Sequence, residues 1–365
     1  MAIDGQRAVS ETPNSGCVSP IAGEIQVTVT PEESRRLARA RRVNSEAYEA
    51  YLRGRFHWYK LCREHFDIAF DHFQLALKKD PSYALAHVGA AYVWLSRGDC
   101  GMVPSREALA RAKASAMKAM ELDDSLAEVH EIMAGIKLHS EYDWNGAEQS
   151  YRRAIQLDRN HADAHFFYSD LLFSMRRFHE AQAEAACALE LDPLNFLFQC
   201  FHGWHLVYLG RHDEAIAQLA KTVETEPNYP AAHLGLWGAY YKKGDYRDAS
   251  REAGTFFRLL GDQHLSDILA LADDESGYAG TMQRAAESLA AAAARKHVPA
   301  LRIARLYAHA GAKDAALDWL ERAYEQHEAP LVHLQVGWDW DGLREHPRFQ
   351  RLLRSISFPT FAGQS

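Results

Sequence analysis

The chain has 365 residues, of which 25% are charged and 47% are hydrophobic, and its net charge is -8 at pH 7. This is the composition of an ordinary water-soluble chain, and the length would allow two or three globular domains. The negative charge argues against a nucleic-acid-binding protein, which would present a basic face. The N-terminus has no apolar core of signal-peptide length, and no apolar run approaches about 18 residues. We therefore expect a cytoplasmic protein that does not contact a membrane.

The N-terminal region is predicted to have two parts. Residues 1–20 are rich in Ser, Pro, Gly and Thr, a composition typical of disorder. Residues 21–45 are interpreted as a linker that includes the remnant of a helix. Thr30 is followed directly by Pro31, and Glu33 lies three positions after Thr30, which is the order expected for a capping box at a helix start.

Residues 46–261 are predicted to form six units of one repeated pattern. Each unit has an apolar helix, a polar turn and a second amphipathic helix. The fourth and fifth units are the most regular, each with a period of 34 residues. The predicted helix pairs are 45–60 with 65–79, 82–97 with 105–122, 125–139 with 144–157, one pair in each of 160–193 and 194–227, and 230–243 with 246–260.

Two columns of residues define this repeat. A small residue is needed where two helices cross closely, and a helix breaker is needed where each unit ends. The small column consists of Ala69, Ala112, Ala147, Ala181, Ala215 and Ala249. The terminator column consists of Pro81, Asp124, Arg159, Pro193, Pro227 and Gly261.

The turn of the second unit, Gly98–Pro104, is unusually long. Long loops on repeat proteins are often found at functional edges. The alternative is a surface insertion that the fold tolerates, and we favour this second interpretation.

The repeat pattern weakens after Gly261. Residues 262–355 are predicted to form degenerate helical repeats and a C-terminal cap, and residues 356–365 a tail. A loose unit is expected over 263–295, followed by a helix pair at 298–310 and 313–327. In the cap, Asp339 and Asp341 flank Trp340, and we expect both acids to lie in a solvated turn rather than to form a catalytic pair.

The two columns and the period resemble those of the tetratricopeptide repeat. The resemblance is close over residues 46–261 and loose over 262–355. It implies an all-α fold, a right-handed superhelical solenoid of about eight antiparallel helix pairs. It is informative about the fold and much less so about function.

A second resemblance is to bacterial TolB-like/TPR transcriptional regulators and adenylate cyclases, in which an effector domain precedes the repeats. It implies that this chain corresponds to the C-terminal repeat half of such a protein. The matching residues are Ile21, Ala22, Glu24, Ile25, Thr30–Glu33, Asn44, Glu46–Tyr48 and Tyr51–Arg55, and near the end Trp340–Arg344, His346–Phe349, Leu352 and Leu353.

Tetratricopeptide arrays bind partners in a concave groove lined by the first helix of each unit. The resemblance places an aromatic and partly acidic groove here, with the acids in its middle. Such a groove would suit an extended or helical partner segment with apolar anchors and basic residues. The predicted groove residues are Tyr48, Tyr51, Arg55, Trp58, Tyr92, Glu128, Glu131, Asp163, Phe166, Asp170, Phe173, Trp204, Tyr208 and Tyr241.

Two other interpretations of this stripe remain open. The N-terminal 45 residues or the C-terminal tail of the chain itself would cover the groove, or the aromatic residues would serve only to pack the repeats together. The groove lacks the Lys and Asn residues with which some tetratricopeptide arrays hold a C-terminal carboxylate.

Catalytic and metal sites are not expected. Four histidines, His87, His130, His165 and His233, recur at one position of the first helices, but successive repeats are on the order of 10 Å apart. A tetrahedral site needs ligand nitrogens about 2 Å from one ion, so this row cannot bind a single metal. We expect these histidines to pack between repeats. The sequence also lacks a phosphate-binding loop and a nucleophile elbow.

We therefore expect a non-catalytic scaffold that binds a protein or peptide partner and needs no cofactor. One alternative is a regulatory or sensory subunit for a separately encoded transcription factor or nucleotide cyclase. A second alternative is an enzyme or small-molecule binder that uses the groove as a pocket.

Overall fold

The computed structural model describes residues 44–270 and 275–359, and all regular structure in these ranges is helical. The predictions for residues 1–43, including the capping box at Thr30, and for residues 360–365 lie outside the described residues. The α-helices are α1 Ser45–Trp58, α2 Arg63–Lys79, α3 Ala84–Asp99, α4 Ser105–Leu122, α5 Ala127–Glu141, α6 Trp144–Leu157, α7 Ala162–Ser174, α8 Phe178–Leu191, α9 Phe196–Tyr208, α10 His212–Thr225, α11 Pro230–Lys243, α12 Tyr246–Leu259, α13 Gln263–Leu269, α14 Glu275–Ala293, α15 Ala300–His309, α16 Lys313–Glu325 and α17 Pro347–Ile356.

Consecutive helices pack as pairs, from α1 with α2 to α15 with α16. This confirms the predicted all-α solenoid of about eight helix pairs. Two 3₁₀-helices, Ala329–His333 and Trp338–Leu343, connect the eighth pair to α17.

The small column lies where the paired helices cross, as predicted. Each of its six alanines has no accessible surface. A larger side chain at these contacts would push the helix axes apart, because interiors are packed to crystal-like density. These alanines therefore set the distance between the two helices of each pair.

Glycines on the first helices create a second kind of close contact. The fully buried ring of Phe73 in α2 lies between Gly54 of α1 and Gly89 of α3. A Cβ atom built on Gly54 would be 2.6 Å from this ring, and one built on Gly89 would be closer still. Leu219 is held in the same way between Gly203 and Gly235, four units later. Each pair of glycines makes room for one large side chain from the intervening second helix.

We expect Gly89→Ala to destabilise the fold by about 1–3 kcal/mol, the usual cost of overpacking a core. Alanine would gain up to about 1 kcal/mol of helix propensity, which is too little to compensate. Urea denaturation followed by circular dichroism measures the change. Gly135→Ala is the matched control, since the nearest atom to its Cβ would be Leu95 Cδ1 at 3.6 Å. Equal stability of the two variants would contradict the prediction.

The repeat junctions share one hydrogen bond. In five successive units, a side chain of the first helix donates to the carbonyl of the preceding terminator residue. His130 and His233 do so through Nε2, at 2.8 Å from Asp124 O and 3.0 Å from Pro227 O. The equivalent pairs are His87 with Pro81, His165 with Arg159, and Gln199 with Pro193. The histidine row thus links neighbouring units, in agreement with the expectation that it packs between repeats.

Contacts also join units that are distant in sequence. Arg55 of the first unit pairs with Asp163 of the fourth, and Lys60 pairs with Glu226 at the end of the fifth. Because the first unit contacts the fourth and fifth, the inner helices (α1, α3, α5, α7, α9 and α11) surround a common interior.

Residues 297–343, here called the closing segment, lie against this interior. Arg302 donates to the carbonyl of Cys100, and Pro299 contacts Gly101. His333 donates to Asp170 of α7. The long turn of the second unit is therefore a docking point for the closing segment, and our interpretation of it as a tolerated surface insertion was wrong.

Candidate functional site

The inner helices and the closing segment enclose a cavity of about 320 Å³. Trp58, Tyr92, Gly135 and Trp204 line it from the inner helices. Arg302, Arg305, His333, Trp338 and Trp340 line it from the closing segment. Small-molecule pockets in proteins have volumes of about 300–1,000 Å³, so this cavity lies at the lower end of that range.

The cavity brings together six of the fourteen predicted groove residues. These are Trp58, Tyr92, Glu131, Asp170, Trp204 and Tyr208. They come from five different units, so the inner face of the array converges on one point.

The other eight predicted residues lie elsewhere. Tyr51, Asp163, Phe166 and Phe173 are buried in the packing of the repeats, and Tyr48 is 49% exposed. Phe166, for example, stacks on Phe198 with ring centroids 4.7 Å apart. The remaining residues are only partly buried, and they are Arg55, Glu128 and Tyr241.

The cavity wall is largely aromatic. The rings of Trp58 and Tyr92 stack with centroids 4.6 Å apart, as do those of Phe201 and Trp204. The ring centroid of Trp338, in the closing segment, lies 4.7 Å from that of Tyr208. Sequence reasoning missed Trp338 because it lies outside the repeats. The W-D-W run at 338–340 was the available signal, since two tryptophans in a tail need apolar surface to cover.

An ion pair ties the closing segment to α7. His333 Nε2 lies 3.0 Å from both carboxylate oxygens of Asp170. Burial acts to raise the pKa of Asp170, but the charge and the hydrogen bond of His333, together with the other nearby histidines, outweigh burial and lower this pKa. Burial likewise acts to lower the pKa of His333, and Asp170 reverses this, so that pKa is raised. The pair therefore stays charged over a wider pH range than either residue would alone.

We expect Asp170→Asn to lower the free energy of unfolding by about 1.5–3 kcal/mol at pH 6, the usual value for a charged hydrogen bond. The pKa of His333 is raised in the folded state. The contribution of the His333–Asp170 ion pair to the free energy of unfolding is therefore complete below the unfolded pKa of histidine, about 6.5. The contribution is lost as pH rises through the folded pKa, so the effect shrinks by pH 9. Urea titrations at both pH values test this.

The control for this pH dependence is Asp213→Asn. The Asp213 side chain is 85% exposed, and this substitution removes its ion pair with Lys243. It should cost little at either pH. A loss in Asp170→Asn that is equal at pH 6 and pH 9 would contradict the assignment to His333.

A chain of hydrogen bonds holds Asp339 in the interior. Arg305 Nε donates to one carboxylate oxygen at 2.8 Å, and His309 Nε2 donates to the other at 2.7 Å. The hydroxyl of Tyr278 donates to His309 Nδ1 and accepts from Trp237 Nε1. Asp339 is only 8% exposed. Our expectation of a solvated turn was wrong for this residue, because Arg305 and His309, one helical turn apart on α15, supply buried donors.

Two other acids at the cavity are less well paired. Glu131 is 2% exposed, its Oε2 has no hydrogen-bond donor, and the nearest cationic group is His161 Nε2 at 3.7 Å. Burial raises the pKa of Glu131 to about 7. Asp99 has His139 Nδ1 at 3.9 Å, and burial raises the pKa of Asp99 to about 7 as well. Asp99 lines the cavity as an accessible carboxylate, with 40% of its side chain exposed.

Other buried polar atoms at the cavity also lack partners. The hydroxyl of Tyr92 and Nδ1 of His139 make no hydrogen bond within the described residues. Buried polar groups are normally satisfied, so a cluster of exceptions at one cavity marks a place where an occupant would supply the missing bonds.

The described residues contain no group of three or more His, Cys, Asp or Glu side chains placed to hold a metal ion. In the same part of the chain, no helix combines the length and apolarity needed to cross a bilayer.

Comparison with known families matches residues 206–254 to the tetratricopeptide repeat. This segment runs from the end of α9 into α12 and is similar to a tetratricopeptide repeat.

Two curated proteins show sequence similarity. The STIP1 homolog of Dictyostelium discoideum is 26% identical over 110 residues, which is 30% of this chain and 19% of that protein. The type IV pilus assembly protein PilF of Pseudomonas aeruginosa is 26% identical over 161 residues, 44% of this chain and 63% of that protein. The chain thus spans less than two thirds of the length of either relative.

One of the matched solved structures shows the same fold at a TM-score above 0.5. The Cut9–Hcn1 hetero-tetramer of the APC/C matches 89% of this chain and 59% of the compared chain, with a TM-score of 0.52 and 13% identity. The alignment with yeast Tom70 covers 87% of this chain and 69% of the Tom70 chain, with a TM-score of 0.44 and 16% identity.

Proposed function

We propose that this tetratricopeptide-repeat chain is a non-catalytic binding scaffold, and that part of a partner protein enters the central cavity. The aromatic cavity between the inner helices and the closing segment is the observation that carries this proposal. Aromatic side chains dominate interface energetics, and hot spots lie in desolvated pockets of this kind.

The closing segment changes how a partner would bind. Trp338 and His333 occupy the middle of the concave surface, where they contact Tyr208 and Asp170. A partner segment running along all six units would have to displace them. We therefore propose that the partner inserts one or two side chains, or a chain end, into the space of about 320 Å³ that remains.

Filling the cavity tests this proposal. Gly135 lines the cavity, and the atom nearest to a Cβ added at this position would be Leu95 Cδ1 at 3.6 Å, an ordinary van der Waals contact. Gly135→Leu should occupy the space needed by a partner, whereas Gly135→Ala should leave most of it. We expect proteins captured from lysate by the wild type and by Gly135→Ala to be lost with Gly135→Leu. Capture of the same proteins by all three would contradict a role for the cavity.

A sensory role is the second candidate. The closing segment forms one wall of the cavity, so an occupant would contact the repeats and this segment together and favour their association. The resemblance to the repeat half of bacterial regulators suggests a separately encoded transcription factor or cyclase as the partner. Mass spectrometry of the captured proteins would identify such an effector domain.

A further inference from the structure

We propose that the cavity is a site for an organic cation, namely an ammonium or guanidinium group on an apolar or aromatic stem, with Asp99 and Glu131 as its counter-charges. This inference deepens the proposed function, and rests on it, because it names the chemistry that the cavity recognises.

The charges around the cavity are unbalanced. Five carboxylates line it, from Asp99, Glu131, Asp170, Glu328 and Asp339, against three cationic side chains, Arg302, Arg305 and His333. The deficit is therefore two positive charges, 5 minus 3, at the wall of one cavity.

Three of the carboxylates already have donors. Asp170 accepts from His333, and Asp339 accepts from Arg305 and His309. Glu328 accepts from the backbone N–H groups of Ala300 and Leu301 at the start of α15, at 2.6 and 3.0 Å. The excess negative charge is therefore located on Asp99 and Glu131.

The neighbours of these two acids do not neutralise them fully. Burial lowers the pKa of His139 to about 4, so the ring beside Asp99 is neutral at physiological pH. His161 is cationic, since the surrounding carboxylates outweigh burial and raise its pKa to about 9. However, it lies 3.7 Å from Glu131 Oε2, beyond hydrogen-bonding distance, and it is shared with Asp163. Glu131 is buried, and a buried carboxylate without a donor is costly, so a cation that donates to it removes this cost. Asp99 is accessible from the cavity, where a cation would gain a charge-assisted hydrogen bond.

The remaining wall suits the rest of such a ligand. The aromatic wall to which Trp58, Tyr92 and Trp204 contribute supplies apolar surface for the stem of such a ligand. Two atoms without partners, Tyr92 Oη and His139 Nδ1, can each accept a further N–H. An ammonium or guanidinium group carries several such donors, whereas a carboxylate carries none.

Titration calorimetry with matched probes tests the proposal. Phenethylamine is compared with uncharged phenethyl alcohol, and acetylated, amidated Arg-Phe with its citrulline-Phe counterpart. We expect at least one cationic probe to bind at least tenfold more tightly than its uncharged partner. Binding of the amine alone would point to a free metabolite, and binding of the peptide alone to a side chain of a partner protein.

Variants locate the counter-charge. Asp99→Asn and Glu131→Gln keep the side-chain shape, and each should weaken cation binding about tenfold. The control Glu121→Gln, at a side chain that is 63% exposed, should leave it unchanged. Binding should also weaken from pH 8 to pH 6, because Asp99 and Glu131 take up protons over this range. The titratable and charged groups around Asp99 are His139, His333 and Asp170. Those around Glu131 are His161, Asp163 and Arg55.

Each negative outcome has a separate meaning. Equal binding of charged and uncharged probes, or full binding by both variants, would overturn the cation assignment and leave the cavity as a binding site. Failure of all four probes would also overturn it, while the Gly135→Leu comparison decides independently whether a partner protein uses the cavity.

Discussion

Trp338→Ala should lower the free energy of unfolding by about 3–5 kcal/mol, the usual cost of truncating a buried aromatic side chain. Trp338 is 6% exposed and lies against Tyr208, with Trp204 at a centroid distance of 6.0 Å. Its indole also packs directly over Gly238 of α11, where any Cβ would collide with the ring.

The same substitution should detach part of the closing segment from the inner helices. Hydrogen exchange in Phe196–Tyr208 and Pro230–Lys243 should then accelerate, because their inner faces would meet solvent. Trp94→Ala is the control, since Trp94 packs on Phe70 and Arg111, away from the cavity. If exchange in the two helices is unchanged, Trp338 does not close the cavity, whatever the loss in stability.

Asp339→Ala is expected to cost about 3–5 kcal/mol by a different mechanism, the loss of one partner in a buried ion pair. It would leave Arg305 Nε and His309 Nε2 in the interior without their acceptor. Removing the arginine as well, in Asp339→Ala with Arg305→Met, should recover part of the loss, because no uncompensated charge remains. Denaturation of the single and double variants measures this coupling.

Asp341→Ala provides a close control for this experiment. Asp341 lies two residues away and is 45% exposed, in ion pairs with Lys242 and Arg344. Exposed pairs contribute about 0–1 kcal/mol. A similar loss in Asp341→Ala and Asp339→Ala would show that the buried network is not the cause.

The helix pairs were predictable from the sequence because each one depends on local signals. The alanine column, the terminator column and the 34-residue period all act within a unit or between neighbours. Even the second unit, with its long turn at Gly98–Pro104, has both helices close to the predicted positions.

The site was predicted only in part, because its geometry depends on how the whole array curves. The repeat positions predicted that Trp58 and Trp204 face the groove, and both line the cavity, but these positions could not show which residues meet. Phe166 belongs to the same predicted groove set and is instead buried against Phe198 and Phe201. The contributions of His333, Trp338 and Asp339 come from residues without repeat symmetry, so no periodic pattern places them.

The ion pairs between the first unit and the fourth and fifth units have a consequence for folding. In an open repeat array each unit contacts only its neighbours, so folding can start anywhere and spread. Here Arg55 contacts Asp163, 108 residues further along the chain, and Lys60 contacts Glu226, 166 residues further along. Closing such long loops costs chain entropy before the contacts form, and high contact order slows folding. We therefore expect the array to fold as one cooperative unit, and removal of a single repeat to break the long-range contacts of Arg55 and Lys60.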